Sequence, residues 1–258
     1  MSSEVTFLAS GKAGPALLFL HGVGGGAEAF RHQLDHFGDR FRAFAWNMPG
    51  YGGSPPLAPL TFRGLAETLA GFLDRQGIEE LHLVGHSIGG MIAQEFAAGL
   101  PGRVASMTLV ATSPAFGRLD GDFQKRFLAE RLGPLDAGRG MADLAPEIVA
   151  SLVGEDPDPE GVALAVACMR RVPEAAYRAA MECLVTFDRR DALATYRMPV
   201  LVVAGGRDRN APPEMMRRMA QRIPTAVFVE IAGAGHLLPL ERPRAFNRVL
   251  DSFLADHS

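Results

Sequence analysis

Residues 81–96 read Leu81-His82-Leu83-Val84-Gly85-His86-Ser87-Ile88-Gly89-Gly90-Met91-Ile92-Ala93-Gln94-Glu95-Phe96. An apolar run of strand character is followed by a G-x-S-x-G turn and then by a helical stretch. In that context the pattern lifts a serine on a sharp, strained turn above the end of a sheet. The stretch therefore predicts both a fold, in which a buried strand feeds directly into a helix, and a candidate nucleophile, Ser87.

The same alternation extends outward in both directions. Strand-like runs occur at 16–20, 41–46, 81–84, 104–110, 200–204 and 226–231, with helical patterns at 62–76, 88–100, 212–222 and 242–255. Strands rich in Val, Leu and Phe on both faces are expected where helices cover a parallel sheet. The pattern predicts an α/β class with a doubly wound, mostly parallel central sheet flanked by helices. It breaks after Thr112-Ser113-Pro114 and resumes near Asp191. Between them lie helical patterns only, at 122–132, 141–153, 161–171 and 173–185, and Gly154-Glu155-Asp156-Pro157-Asp158-Pro159 reads as a turn joining two of them. The expected organisation is a core made of residues 1–113 and 191–258, with a helical cap inserted at 114–190.

Composition narrows the function classes. The chain has 258 residues, 48% of them hydrophobic and 21% charged, which suits one folded core with an insertion. The formal net charge is -3 and the arginines are dispersed, which argues against nucleic acid as a partner. No apolar run approaches the roughly 20 residues that span a bilayer, and residues 1–6 lack the basic and apolar regions of a secretion signal. The expectation is a cytoplasmic protein with no membrane partner. Cys168 and Cys183 show neither a CxxC spacing nor clustered histidines, so both are expected as small buried residues, with no metal site.

A serine hydroxyl needs a base within hydrogen-bond reach and a third group to orient that base. In the order Ser, Asp, His, the acid belongs after a later strand and the base on the loop before the last helix. Asp208 follows the run 200–207, and His236 ends the stretch Ala232-Gly233-Ala234-Gly235-His236 after the last strand pattern. Ser87, Asp208 and His236 are therefore the expected catalytic residues. The oxyanion of an attacked carbonyl would be held by the N–H of Ile88 and a second one from His21-Gly22-Val23-Gly24-Gly25-Gly26, assigned to Val23 with Gly24 as second choice. His21 is expected to make a structural bond, and His86 to face the core. The loop 46–54 is read as a structural turn, and Glu241 as a carboxylate opening a helix, where the dipole favours it.

On His21-Gly22, Pro49-Gly50-Tyr51-Gly52, Gly85-His86-Ser87-Ile88-Gly89-Gly90, Asp208 and Gly235-His236, the chain resembles the α/β-hydrolase superfamily over essentially its whole length. The run 200–205 with Asp208, the short cap and the compact length look like the bacterial 3-oxoadipate enol-lactonase and esterase group. The resemblance implies hydrolysis of a small carboxylic ester or lactone through an acyl-enzyme, with no cofactor. Serine at the elbow argues against dehalogenase or epoxide-hydrolase chemistry, in which an aspartate attacks. A cofactor-free oxygenase, perhydrolase or C–C bond hydrolase with the same three residues, or a receptor-like ligand-binding protein, would share the pattern. Position 47 is Asn where such proteins often carry Asp. Gly22, Gly24, Phe116, Arg126 and Leu237 are the expected substrate contacts. Phe116, Phe123, Phe127, Met169 and Met181 suggest an apolar chamber, and Arg126, Arg131, Arg170 and Arg171 are candidate cations for a carboxylate. The partner is a small molecule, and the chain would act as monomer or homodimer.

Overall fold

A computed structural model describes residues 4–117 and 121–257. Met1, Ser2 and Ser3, with which the residues read for a leader begin, lie outside the described residues. Along the chain, β1 (Phe7–Ser10), β2 (Ala16–Leu20), α1 (Arg31–Phe37) and β3 (Arg42–Trp46) are followed by α2 (Phe62–Arg75), β4 (Leu81–His86), α3 (Ile88–Gly99) and β5 (Val104–Val110). Four helices come next: α4 (Asp122–Asp136), α5 (Met141–Leu152), α6 (Pro159–Arg170) and α7 (Glu174–Leu184). The chain then returns through β6 (Val200–Gly205), α8 (Pro213–Ala220), β7 (Ala226–Ile231), α9 (Leu238–Glu241) and α10 (Pro243–Ala255).

The seven strands form one sheet in the order β1-β3-β2-β4-β5-β6-β7, parallel throughout except for β1, which pairs antiparallel with β3. Every residue of β2, β4 and β6 is buried. Side chains alternate along a strand, so each strand serves two cores. Leu18 and Leu20 belong to the core that also takes residues of α2, α3 and α8, and Leu17 and Phe19 to the one that takes residues of α1 and α10. Phe246 and Leu250 of α10 are wholly buried in the second core, each worth about 1.5–3 kcal/mol against an exposed side chain.

Four elements differ from the expectation, among them the short α9, which precedes the helical pattern read at 242–255. β1 was not anticipated, because its four residues are mostly exposed and show no buried face, and their order comes from edge pairing with β3. α1 spans seven residues and buries Gln33 beside Leu34 and Phe37, so its apolar period is too brief to read. α6 starts at Pro159, inside the stretch expected as a turn. The Asp158 carboxylate accepts the N–H of Glu160 at 2.9 Å, and Pro159 has no N–H to leave unpaired at the first helical position.

Two packing features position the site. α3 begins directly at the end of β4, the central strand of the sheet, and α5 runs from the insertion back to the loop that follows β7. Among the described residues no helix is long and apolar enough to cross a membrane.

Candidate active site

Ser87 sits between β4 and α3 at φ 55° and ψ −120°, a conformation L residues rarely adopt. The surroundings hold it there: its N–H donates to the Val110 carbonyl at 2.9 Å, and its own carbonyl accepts from Thr112 Oγ1 at 2.7 Å and the Gly90 N–H at 2.9 Å. The flanking glycines have a steric cause. A Cβ on Gly85 would lie 2.4 Å from the Gly89 oxygen, and one on Gly89 would lie 2.2 Å from the Leu20 oxygen. The G-x-S-x-G spacing is thus the spacing at which β4, α3 and β2 can meet.

The structure brings Ser87, Asp208 and His236 together. His236 Nε2 is 3.1 Å from Ser87 Oγ, and its Nδ1 is 2.8 Å from Asp208 Oδ2. The carboxylate can only accept, so Nδ1 carries the ring proton and Nε2 accepts from the serine hydroxyl. The second oxygen of Asp208 accepts the N–H groups of Asn210 at 2.8 Å and Ala211 at 3.0 Å. Burial pushes the Asp208 carboxyl up, but His236 and the two amides outweigh it and hold the group below its ordinary range.

Beside the serine, Val23 lines the cavity and Ile88 is the first residue of α3. Neither main-chain N–H is taken by an acceptor among the described residues. As the first residue of α3, Ile88 carries its N–H at the positive end of the helix dipole. The turn that presents Val23 is closed by the Gly25 N–H donating to the Gly22 carbonyl at 2.9 Å.

His21 matches its expected structural role. Its Nδ1 donates to the Gly22 carbonyl at 2.8 Å, and its Nε2 accepts the Met48 N–H at 3.0 Å. Burial lowers its pKa to about 4, so the ring is neutral at physiological pH. His86 is buried, as expected, and has a second role. It lines the cavity and donates from Nε2 to the His236 carbonyl at 2.7 Å, and burial lowers its pKa to about 3. Asn47 anchors the loop 47–54, its Oδ1 accepting the Ala27 N–H and its Nδ2 donating to Thr6 Oγ1, each at 2.8 Å. Glu241 closes a helix, α9, instead of opening one, and its carboxylate is buried against main-chain amides.

A cavity of about 450 Å³ lies over these groups, floored by the sheet edge and roofed by α4–α7. Gly22, Gly24, Phe116 and Leu237 line it, as do Phe123, Phe127, Met169 and Met181. Arg126 does not: it is exposed and outside the lining. The lining stripe of α4 passes through Phe123, Phe127, Glu130 and Arg131, and at about 100° per residue position 126 falls to one side of it. Arg131 takes the place expected of Arg126, its guanidinium 5.5 Å from the Phe127 ring centroid. Arg171 is bound instead to Glu28, at 2.5 Å.

Tyr177 lies in the helical pattern at 173–185 and is not among the site residues expected from the sequence. It is 1% exposed and lines the cavity, and its hydroxyl has no partner among the described residues. The available signal was a tyrosine in an apolar stripe where Phe or Leu would fill the same space. Among the described residues no group of three or more His, Cys, Asp or Glu side chains is placed to hold a metal ion.

Residues 15–243 match the α/β-hydrolase fold family, and the chain belongs to it. A putative carbamate hydrolase, RutD, of Azorhizobium caulinodans is 29% identical, over 95% of this chain and 92% of its own. A solved thermophilic esterase from Thermogutta terrifontis superposes with a TM-score of 0.87 at 27% identity, covering 98% of this chain and 94% of that one. The enol-lactonase of Burkholderia xenovorans superposes with a TM-score of 0.88 at 23% identity, over 97% and 96% of the two chains, a likeness of fold.

Proposed function

We propose that this protein is a serine hydrolase that cleaves a small carboxylic ester or lactone through an acyl-enzyme. The observation that carries this reading is the continuous relay from Ser87 Oγ through His236 to Asp208, at 3.1 and 2.8 Å. The similarity to an esterase and to a putative carbamate hydrolase supports the same class of bond.

Ser87 attacks the carbonyl carbon while His236 Nε2 takes its proton, and Asp208 stabilises the imidazolium. Charge develops on the carbonyl oxygen as the tetrahedral intermediate forms, and the Val23 and Ile88 N–H groups receive it. His236 then gives its proton to the leaving alkoxide. In the second half, water loses a proton to His236 and attacks the acyl-serine, and Ser87 leaves with that proton.

Residues 1–113 and 191–258 act as the hydrolase core, and 114–190 as a cap that selects the substrate. The chamber is largely apolar, and α4 and α7 contribute Glu130, Arg131 and Tyr177 to its lining. Arg139, Arg171, Arg178, Arg189 and Arg190 of the insertion all meet carboxylates, whereas Arg126, Arg131 and Arg170 are paired with none among the described residues, and of these three Arg131 lines the cavity. A substrate with a carboxylate distal to the scissile bond suits that arrangement.

A fluorophosphonate probe, read by intact mass and peptide mapping, tests the reading. It is expected to add once, on Ser87, and p-nitrophenyl acetate is expected to give a burst that is lost in Ser87→Ala. Labelling elsewhere with Ser87 unmodified, or wild-type turnover in Ser87→Ala, would reject it.

A further inference from the structure

The main-chain groups around His236 are bound on every side. The His236 N–H donates to the Leu152 carbonyl at 2.7 Å, and its carbonyl accepts from His86 at the same distance. The N–H groups on either side of it, those of Gly235 and Leu237, both go to one carboxylate. Glu241 Oε2 accepts from Gly235 at 2.8 Å, and Oε1 accepts from Leu237 at 2.7 Å.

That carboxylate also reaches across to the insertion, where Oε2 accepts the Gly154 N–H at 2.6 Å. The residue is 1% exposed, and among the described residues its carboxylate is met by these three amides and by no cation. Buried carboxylates are costly unless fully hydrogen-bonded, so three charge-assisted bonds hold this one firmly in place. The two segments it joins touch backbone to backbone. A Cβ on Gly154 would lie 2.1 Å from the Gly233 oxygen, and one on Gly235 would lie 2.4 Å from the Leu152 oxygen. The Glu155 N–H adds a bond to the Gly233 carbonyl at 2.7 Å.

On the proposed hydrolase reading, we infer that Glu241 is a positioning residue for the base: its carboxylate clamps the His236 loop and fastens it to the α5–α6 turn. His236 then has no independent place on the sheet edge. Its imidazole is aimed by a loop that rests on Leu152 and Gly154, so the seat of the insertion and the aim of the base are one structural unit. Proton transfer from Ser87 depends on a 3.1 Å contact, and a misplacement of about 1 Å costs about 100-fold in rate.

Glu241→Gln keeps the shape but turns a donor toward at least one of the three amides. Its kcat on p-nitrophenyl acetate is expected to fall about 100-fold, with KM within about threefold of wild type. The rate of fluorophosphonate labelling at Ser87 should fall in parallel, a readout that a brace acting only on stability would leave unmoved in the folded enzyme. If the variant does not fold, amide hydrogen exchange in the unmodified chain serves instead. Gly154, Gly235 and Leu237 are expected to exchange slowly and at one common opening rate. Wild-type kcat in folded Glu241→Gln, or fast and unrelated exchange of the three amides, would overturn the clamp. Should Ser87→Ala abolish turnover while Glu241→Gln keeps it, the clamp falls and the hydrolase reading stands; wild-type turnover in Ser87→Ala removes both.

Discussion

The floor and the roof of the cavity are built on different principles. On the floor, Ser87, Asp208 and His236 are held by main-chain hydrogen bonds, and the Asp208 and His236 side chains are 0% and 12% exposed. On the roof, α4 presents Phe123 at 54% exposure, and the hydroxyl of Tyr177 has no partner among the described residues. Directional bonds fix where chemistry would occur, whereas side-chain surfaces shape what is admitted. Changes to the floor should therefore act on turnover, and changes to the roof on substrate preference.

The largest effect belongs to the floor. On the proposed hydrolase reading, Asp208→Asn preserves size but removes the charge that would stabilise the imidazolium and fix its tautomer, and kcat is expected to fall about 10⁴-fold with little change in KM. A steady-state titration with a p-nitrophenyl ester measures both constants. A fall carried mainly by KM would break the contrast.

Next comes the acid stability of the floor. An unfolded histidine takes up a proton near pH 6.5, whereas buried His21 does so near pH 4. Between those values the unfolded chain binds more protons, so stability is full above pH 6.5 and declines as the pH falls toward 4, by on the order of 3 kcal/mol from His21. His86, lowered to about 3, extends the decline further. Urea melts between pH 7.5 and 4 should show it, and His21→Asn should flatten the slope over that interval. An unchanged slope would remove His21 from the account.

The smallest effect sharpens the roof. Arg131→Ala is expected to raise KM about tenfold for an ester bearing a distal carboxylate relative to its neutral analogue, the value of roughly one charge-assisted contact. Arg126→Ala should leave that ratio within about twofold, since its side chain lies outside the cavity. Equal effects from the two arginines would show that general positive charge matters and that a particular contact does not.

What could be read in advance follows the same division. The elbow was legible because a strand, a turn and a helix each have a local period, and because glycine marks the two closest approaches. Asp208 and His236 were legible because each follows an apolar strand pattern by a few residues. Arg131 was only one of four candidate arginines, because a few tens of degrees of helix rotation separate cavity from solvent on α4. β1 escaped because an edge strand of four residues takes its order from a neighbour. Glu241 was read as an ordinary helix-end carboxylate, and its contacts with Gly154, 87 residues away, leave no trace in local spacing.

By itself the sequence determined the alternating α/β core, its helical interruption and the three residues in the relay, since periodicity and glycine placement are properties of neighbouring residues. Tertiary structure alone decided which arginine faces the chamber, that the Tyr177 hydroxyl lies buried without a partner among the described residues, and that one glutamate ties the His236 loop to the insertion. Each of those depends on burial and on partners remote in the chain, and a hydrogen bond's strength comes from the surroundings in which it is made.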